Sequence, residues 1–153
     1  MRRAVVISFA LAFCWTLGWG ADWHFSTNKV RYRGGTVKAK TSAYDWNTTL
    51  RITDDAIELL INPNVKVRIP VRDVTSLSYG QEAYRRVSEA AGATSAPPPP
   101  SLFGLLHASK EHMIGIVYHT DDGKTAAVLL EAQFRSVLTL LKYATGKPVE
   151  ITP

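Results

Sequence analysis

Cysteine is almost absent from this 153-residue chain: the single one, Cys14, lies in the N-terminal apolar run from Ala4 to Leu17. Beyond that run there is no thiol to serve as nucleophile or soft metal ligand and no pair to form a disulfide, so stability there rests on packing. Dense blocks of one charge are also missing. With 18 Lys and Arg against 13 Asp and Glu, the chain is mildly basic and lacks the clustered cations of a nucleic-acid binder, so no nucleic-acid partner is expected. No G-x-S-x-G elbow occurs, which removes the strongest sequence sign of a serine hydrolase.

The N-terminus has the layout of a secretory signal. Arg2 and Arg3 precede the apolar run, and the small residues Gly18 and Gly20 stand two apart before Ala21. This predicts a signal peptide over residues 1–20 with cleavage between Gly20 and Ala21, and a periplasmic or extracellular destination. The alternative is an uncleaved signal that tethers the protein to a membrane. A spanning helix needs about 20 apolar residues, and this run is shorter and is followed at once by Asp22. A lipid-modified Cys14 would need a small residue before it, where Phe13 stands.

From Gly35 the apolar residues alternate on a short period, the mark of many short strands. "TVKAK" sets Val37 and Ala39 against Lys38 and Lys40, and "TTLRIT" sets Leu50 and Ile52 against Arg51. Asp54-Asp55 and Asn62-Pro63-Asn64 are turn signals on either side of "AIELLI". "VKVRIPV" alternates through Pro70, which has no N–H for a ladder and so marks an edge, a bulge or a strand end. "DVTSLSYG" follows, then a short helix in "EAYRRVSEAA" and a Gly/Ser/Pro stretch ending in four prolines. Residues 81–111 thus read as a Pro-rich insertion in one domain. "MIGIVYHT" and "TAAVLLEA" flank the hairpin signal Asp121-Asp122-Gly123. Phe134, Val137, Leu138 and Leu141 then fall at helical period, with Gly146 and Pro148 as the stop. The expected fold class is mainly β with one C-terminal helix. Residues 21–34 form an N-terminal extension and 35–153 the domain.

This order of about seven strands and a final helix resembles the pleckstrin-homology-like superfold. "LRITDDAIELLI", "IPVRDVTSLSYG", "IGIVYHTDDGKTAAVLLE" and "LLKYATGKPVEI" are similar to segments of small exported bacterial PH-like or GRAM-like proteins. The resemblance implies a half-open barrel of antiparallel strands capped by a helix, and a role in binding. In phosphoinositide-binding members the first inter-strand loop carries a lysine followed later by a basic-x-Arg pair. Here Thr49 and Thr53 occupy the positions two before and two after Arg51, so that pair is missing.

The histidines and acid pairs carry little chemistry. His107, His112 and His119 are five and seven residues apart, which fits neither one helix face nor one strand face. His112 and His119 would lie about 23 Å apart along a straight strand, too far to share a zinc ion. Asp54-Asp55 and Asp121-Asp122 sit where hairpins turn, and adjacent residues point apart, unlike the facing carboxylates of glycosidases. His24 with Asp22 and Ser26 makes a triad only by composition. No metal, cofactor or enzymatic activity is expected.

Two sets of residues remain. Lys38, Lys40, Arg51, Lys66 and Arg68 are candidate contacts to an anionic lipid surface, or simply the solvent face of a sheet. Tyr44, Trp46, Leu102, Phe103 and Leu105 are candidate partner contacts: "SLFGLL" is apolar directly after the prolines, where a solvated loop would be polar. "ADWHF" places Trp23 and Phe25 near the expected new terminus. The resulting expectation is a non-enzymatic binding module of the cell envelope with a protein or peptide partner. The alternatives are a peripheral binder of anionic lipid and a small hydrolase or metalloprotein.

Overall fold

The computed structural model describes residues 23–41, 46, 48–92 and 112–151. Among them β1 (His24–Gly35), β2 (Thr48–Thr53), β3 (Ala56–Asn62) and β4 (Val65–Pro70) form an antiparallel meander. A 3-10 turn (Val71–Asp73) leads to β5 (Val74–Tyr79) and α1 (Gln81–Ala91). The chain continues through β6 (His112–His119), β7 (Thr125–Ala132), α2 (Ser136–Thr145) and β8 (Val149–Ile151). All eight strands join one open sheet in the order β4-β3-β2-β1-β7-β6-β5-β8, antiparallel except for the β5–β8 pair.

The turns form where their residues dictate. The Thr53 hydroxyl accepts the Ala56 N–H at 3.0 Å and donates to the Asp55 carboxylate at 2.5 Å. The Asn62 side chain accepts the Asn64 N–H at 2.9 Å, an Asx turn. At the third hairpin the Gly123 N–H donates to the Thr120 carbonyl at 2.8 Å, and Lys124 reaches Asp122 at 2.7 Å. Gly146 ends α2 in the left-handed region, φ 64°, with its N–H on the Lys142 carbonyl.

β1 organises the sheet. Its first half pairs with β2 and its second half with β7, and Val30 is the pivot, registered with both Thr48 and Ala132. A register shift interrupts each pairing, and such irregularities bend a strand. The bend lets both halves of the sheet roll around one core. Val30, Leu50, Ile52, Leu59, Ile69, Leu77, Ile116 and Leu130, all fully buried, belong to one cluster with Val137 and Leu141 of α2.

A second, smaller core lies on the other face of β6 and β7, where Met113, Val117, Ala127 and Leu129 meet Ala83 and Val87 of α1. β6 and β7 are therefore covered on both sides, which is why their sequences are nearly unbroken apolar runs. α1 lies against the sheet over Gly115. A Cβ there would come within 2.5 Å of the Ser78 hydroxyl and 2.9 Å of the Ala83 carbonyl.

Several expectations change. The segment 21–34, expected as an extension, contributes residues 24–34 to β1, the longest described strand: His24, Ser26, Asn28 and Lys29 are exposed while Val30, Arg31 and Tyr32 are buried. "TVKAK" is no strand, yet Val37 and Ala39 still pack on the core with Lys38 and Lys40 outward. The short helix expected in "EAYRRVSEAA" forms as α1 and covers the outer face of β6 and β7, so the described residues hold a second helix beside the C-terminal one of the expected fold class. Phe134 precedes α2 and is 54% exposed, so the helix buries only Val137, Leu138 and Leu141. Pro70 is the last residue of β4, an edge strand among the described residues.

Candidate interaction surface

The outer face of the meander carries a cross-strand row of polar residues. Register places Ser26 of β1 beside Arg51 of β2, Arg51 beside Glu58 of β3, and Glu58 beside Arg68 of β4. Arg68 bonds both Glu58 at 3.0 Å and Asp55 at 2.8 Å, and Lys66 stands 3.8 Å from Glu58. The Thr53 hydroxyl, with Arg68 beside it, holds the Asp55 carboxyl below the ordinary carboxylate range. Two open grooves flank the Asp54-Asp55 turn. One, of about 480 Å³, runs to Trp23, His24 and Arg51; the other, of about 530 Å³, runs past Pro70 to Arg72, Thr145 and Lys147.

Among the described residues, β4 has hydrogen-bonded neighbours on one side only. The Val71 N–H donates to the Asp55 carbonyl at 2.9 Å, while Ala56, registered with Pro70, donates its N–H back to Thr53. Backbone groups of an antiparallel strand alternate sides, so Lys66, Arg68 and Pro70 turn theirs to the open edge. The missing N–H of Pro70 thus falls where no ladder bond is due. Core coverage thins toward the start of β4: Val65 and Val67 are only half-buried, whereas Ile69 on the same strand and Leu50, Leu59 and Ile61 on β2 and β3 are fully buried.

Two further clusters stand apart. The Glu131 carboxylate, fully buried on β7, bonds Arg31 at 2.7 Å and also Arg33, both from β1. Trp46 covers Arg31, its ring centroid 4.0 Å from the guanidinium carbon. At the far end of β5, the Tyr79 hydroxyl meets His112 Nδ1 at 2.5 Å and Arg135 lies 5.6 Å over the Tyr79 ring.

The candidates from sequence are thereby sorted. Arg51, Lys66 and Arg68 share the outer face of β2–β4, interleaved with Glu58. Lys38 and Lys40 lie in the segment after β1, which is held by the Tyr32 hydroxyl on the Val37 carbonyl (2.8 Å) and by the Asn62 amide on the Lys40 carbonyl (3.3 Å). Burial, reinforced by nearby Tyr118, pushes the Tyr32 hydroxyl up to about 12. Trp46 is partly buried against Arg31. Tyr44, Leu102, Phe103, Leu105, His107, the segment 1–20 expected to be a signal and most of the expected insertion lie outside the described residues. His112 and His119 stand at opposite ends of β6. Among the described residues no group of three or more His, Cys, Asp or Glu converges, and no helix is long and apolar enough to cross a membrane.

The Arg31–Glu131–Arg33 cluster escaped the sequence reading. Its signal was present: one acid in the otherwise apolar "TAAVLLEA", and a basic-aromatic-basic "RYR" with its arginines on one strand face.

Fold and surface together define a β-rich domain whose described residues form eight strands in one open sheet, two helices and a basic sheet edge. No protein-family model matches the chain, and no curated protein matches it.

Proposed function

We propose that this protein is an exported, non-enzymatic binding module of the cell envelope, built on a PH-like half-open barrel, that takes a protein or peptide partner. The observation that carries the reading is the edge of β4, unpaired among the described residues, where Val65 and Val67 are only half-buried and Pro70 borders an open groove. Peptide addition to an exposed sheet edge is a general recognition mode. The strand order β4-β3-β2-β1-β7-β6-β5 and a helix after β7 support a PH-like barrel; α1 and the parallel β8 are additions to that plan. The N-terminal charge and hydropathy pattern supports export. A fold of this kind hosts many ligands, so the site and not the fold must name the partner.

An anionic membrane surface is the competing ligand. Arg51, Lys66 and Arg68 alternate with Glu58 and Asp55, which weakens their field toward a flat surface. The test is crosslinking of the protein in intact envelopes followed by analysis of both protein and lipid. A discrete protein adduct supports the module; lipid adducts alone, weakening with added salt, would replace it with a peripheral lipid binder.

A further inference from the structure

Resting on the binding-module reading, we infer that the edge of β4 accepts an extended segment whose side chains alternate between acidic and apolar. Three observations set this chemistry. The backbone groups of Lys66, Arg68 and Pro70 face the open edge, offering two N–H donors and three carbonyls to an incoming strand. On the outer face the cations Lys66 and Arg68 stand two residues apart, with side chains 63% and 55% exposed, and Arg72 continues the basic line just beyond the strand. The acidic neighbours Glu58 and Asp55 lie inboard of Lys66 and Arg68, on β3 and on the turn before it, and Asp73 stands 3.8 Å from Arg72. On the inner face half-buried Val65 and Val67 leave the core's margin incompletely covered.

A strand laid beside β4 presents every second side chain to each face. Residues opposite Lys66 and Arg68 meet exposed cations, so acids are favoured there; the intervening residues meet Val65 and Val67, so apolar side chains extend the core. Cross-strand pairs of this type are the unit of sheet stability. At the Pro70 end the segment runs into the groove of about 530 Å³, whose lining sets Arg68, Arg72 and Lys147 beside Asp54 and Asp55. A second copy of this chain does not fit. Pairing β4 with β4 would set Lys66 and Arg68 against the same cations, a like-charge ladder that opposes association.

The test uses protein purified from envelopes and a capped peptide, Glu-Val-Glu-Val-Glu-Val-Glu, with the analogue bearing Lys for each Glu as control. Hydrogen exchange is followed at individual amides. The acidic peptide is expected to slow exchange at Lys66 and Arg68 at least tenfold, and the basic one to leave them unchanged. Lys66→Glu with Arg68→Glu should weaken binding of the acidic peptide at least tenfold. Arg68→Pro, which removes an edge-facing donor, should weaken it further than Arg68→Gln, with the unfolding midpoint of each variant measured in parallel.

Equal binding of the two peptides, or protection appearing at β8 or α2 with β4 untouched, overturns the inference. So does attachment to phosphatidylglycerol vesicles that the double reversal abolishes while the peptide protects nothing. A discrete protein adduct in intact envelopes alongside such a failure would remove the edge inference and leave the module standing. Absence of any adduct would instead remove the module reading on which it rests.

Discussion

Replacing Glu131 with Gln should destabilise the domain by about 3–5 kcal/mol, the usual effect of breaking a buried ion pair by removing one partner. The carboxylate is fully buried and holds two guanidinium groups whose side chains are only 10% and 11% exposed. Glutamine keeps the shape and one acceptor oxygen but removes the charge between two cations that have little access to water. Domains of this size are stable by roughly 5–15 kcal/mol, so the loss is a large fraction of the total. In urea, with m of about 1–3 kcal/mol/M, the midpoint should fall by at least about 1 M with m unchanged, followed by tryptophan fluorescence. Replacing all three residues, Arg31→Met, Arg33→Leu and Glu131→Leu, should recover most of the loss, since apolar replacement of a whole buried cluster is often neutral or stabilising. The recovery is reduced by the lost Arg31–Trp46 contact, about 0.5–2 kcal/mol. A Glu131→Gln loss below about 1 kcal/mol, or a triple variant worse than the single, would refute the reasoning.

Gly115→Val should cost more than about 2 kcal/mol and loosen α1 first, because the new side chain meets Ser78 and the Ala83 backbone; faster hydrogen exchange confined to α1 and β8 would be the signature. Leu141→Ala should cost about 2–5 kcal/mol as a core cavity, whereas Phe134→Ser should stay within about 0.5 kcal/mol, both read from urea midpoints. The Asp122 carboxyl, stabilised by the Lys124 and Thr120 side chains, should titrate at about 2 by carbon NMR and move up toward the ordinary carboxylate range in Lys124→Ala. Because its folded value is depressed, the contribution is present above the unfolded value, 3.8, and is lost as pH falls through about 2.

The hairpins were legible because turn chemistry is local. Asp54-Asp55, Asn62-Pro63-Asn64 and Asp121-Asp122-Gly123 each join the strands they were expected to join, and Pro70, expected at an edge, a bulge or a strand end, closes a strand at the edge of the described sheet. β1 was not legible: its outward residues are polar and its role is long-range, pairing β2 with one half and β7 with the other. The "TVKAK" alternation misled for a related reason, since a segment laid across a core margin buries every second residue without a ladder partner. Phe134 fell on the helical period of α2, but the helix begins two residues later. The candidate surface was legible in part: Arg51, Lys66 and Arg68 do share a face, but Glu58 between them appears only once register is known. Burial of Glu131 depends on β1 lying beside β7, a contact across about a hundred residues of chain.

The most direct test places a photocrosslinking residue at Lys66 on the open β4 edge and, separately, at His119, the exposed last residue of β6, and irradiates intact cells. The account predicts a discrete protein adduct from position 66 and none from position 119. Equal adducts from both positions, or an adduct only from position 119, would contradict it.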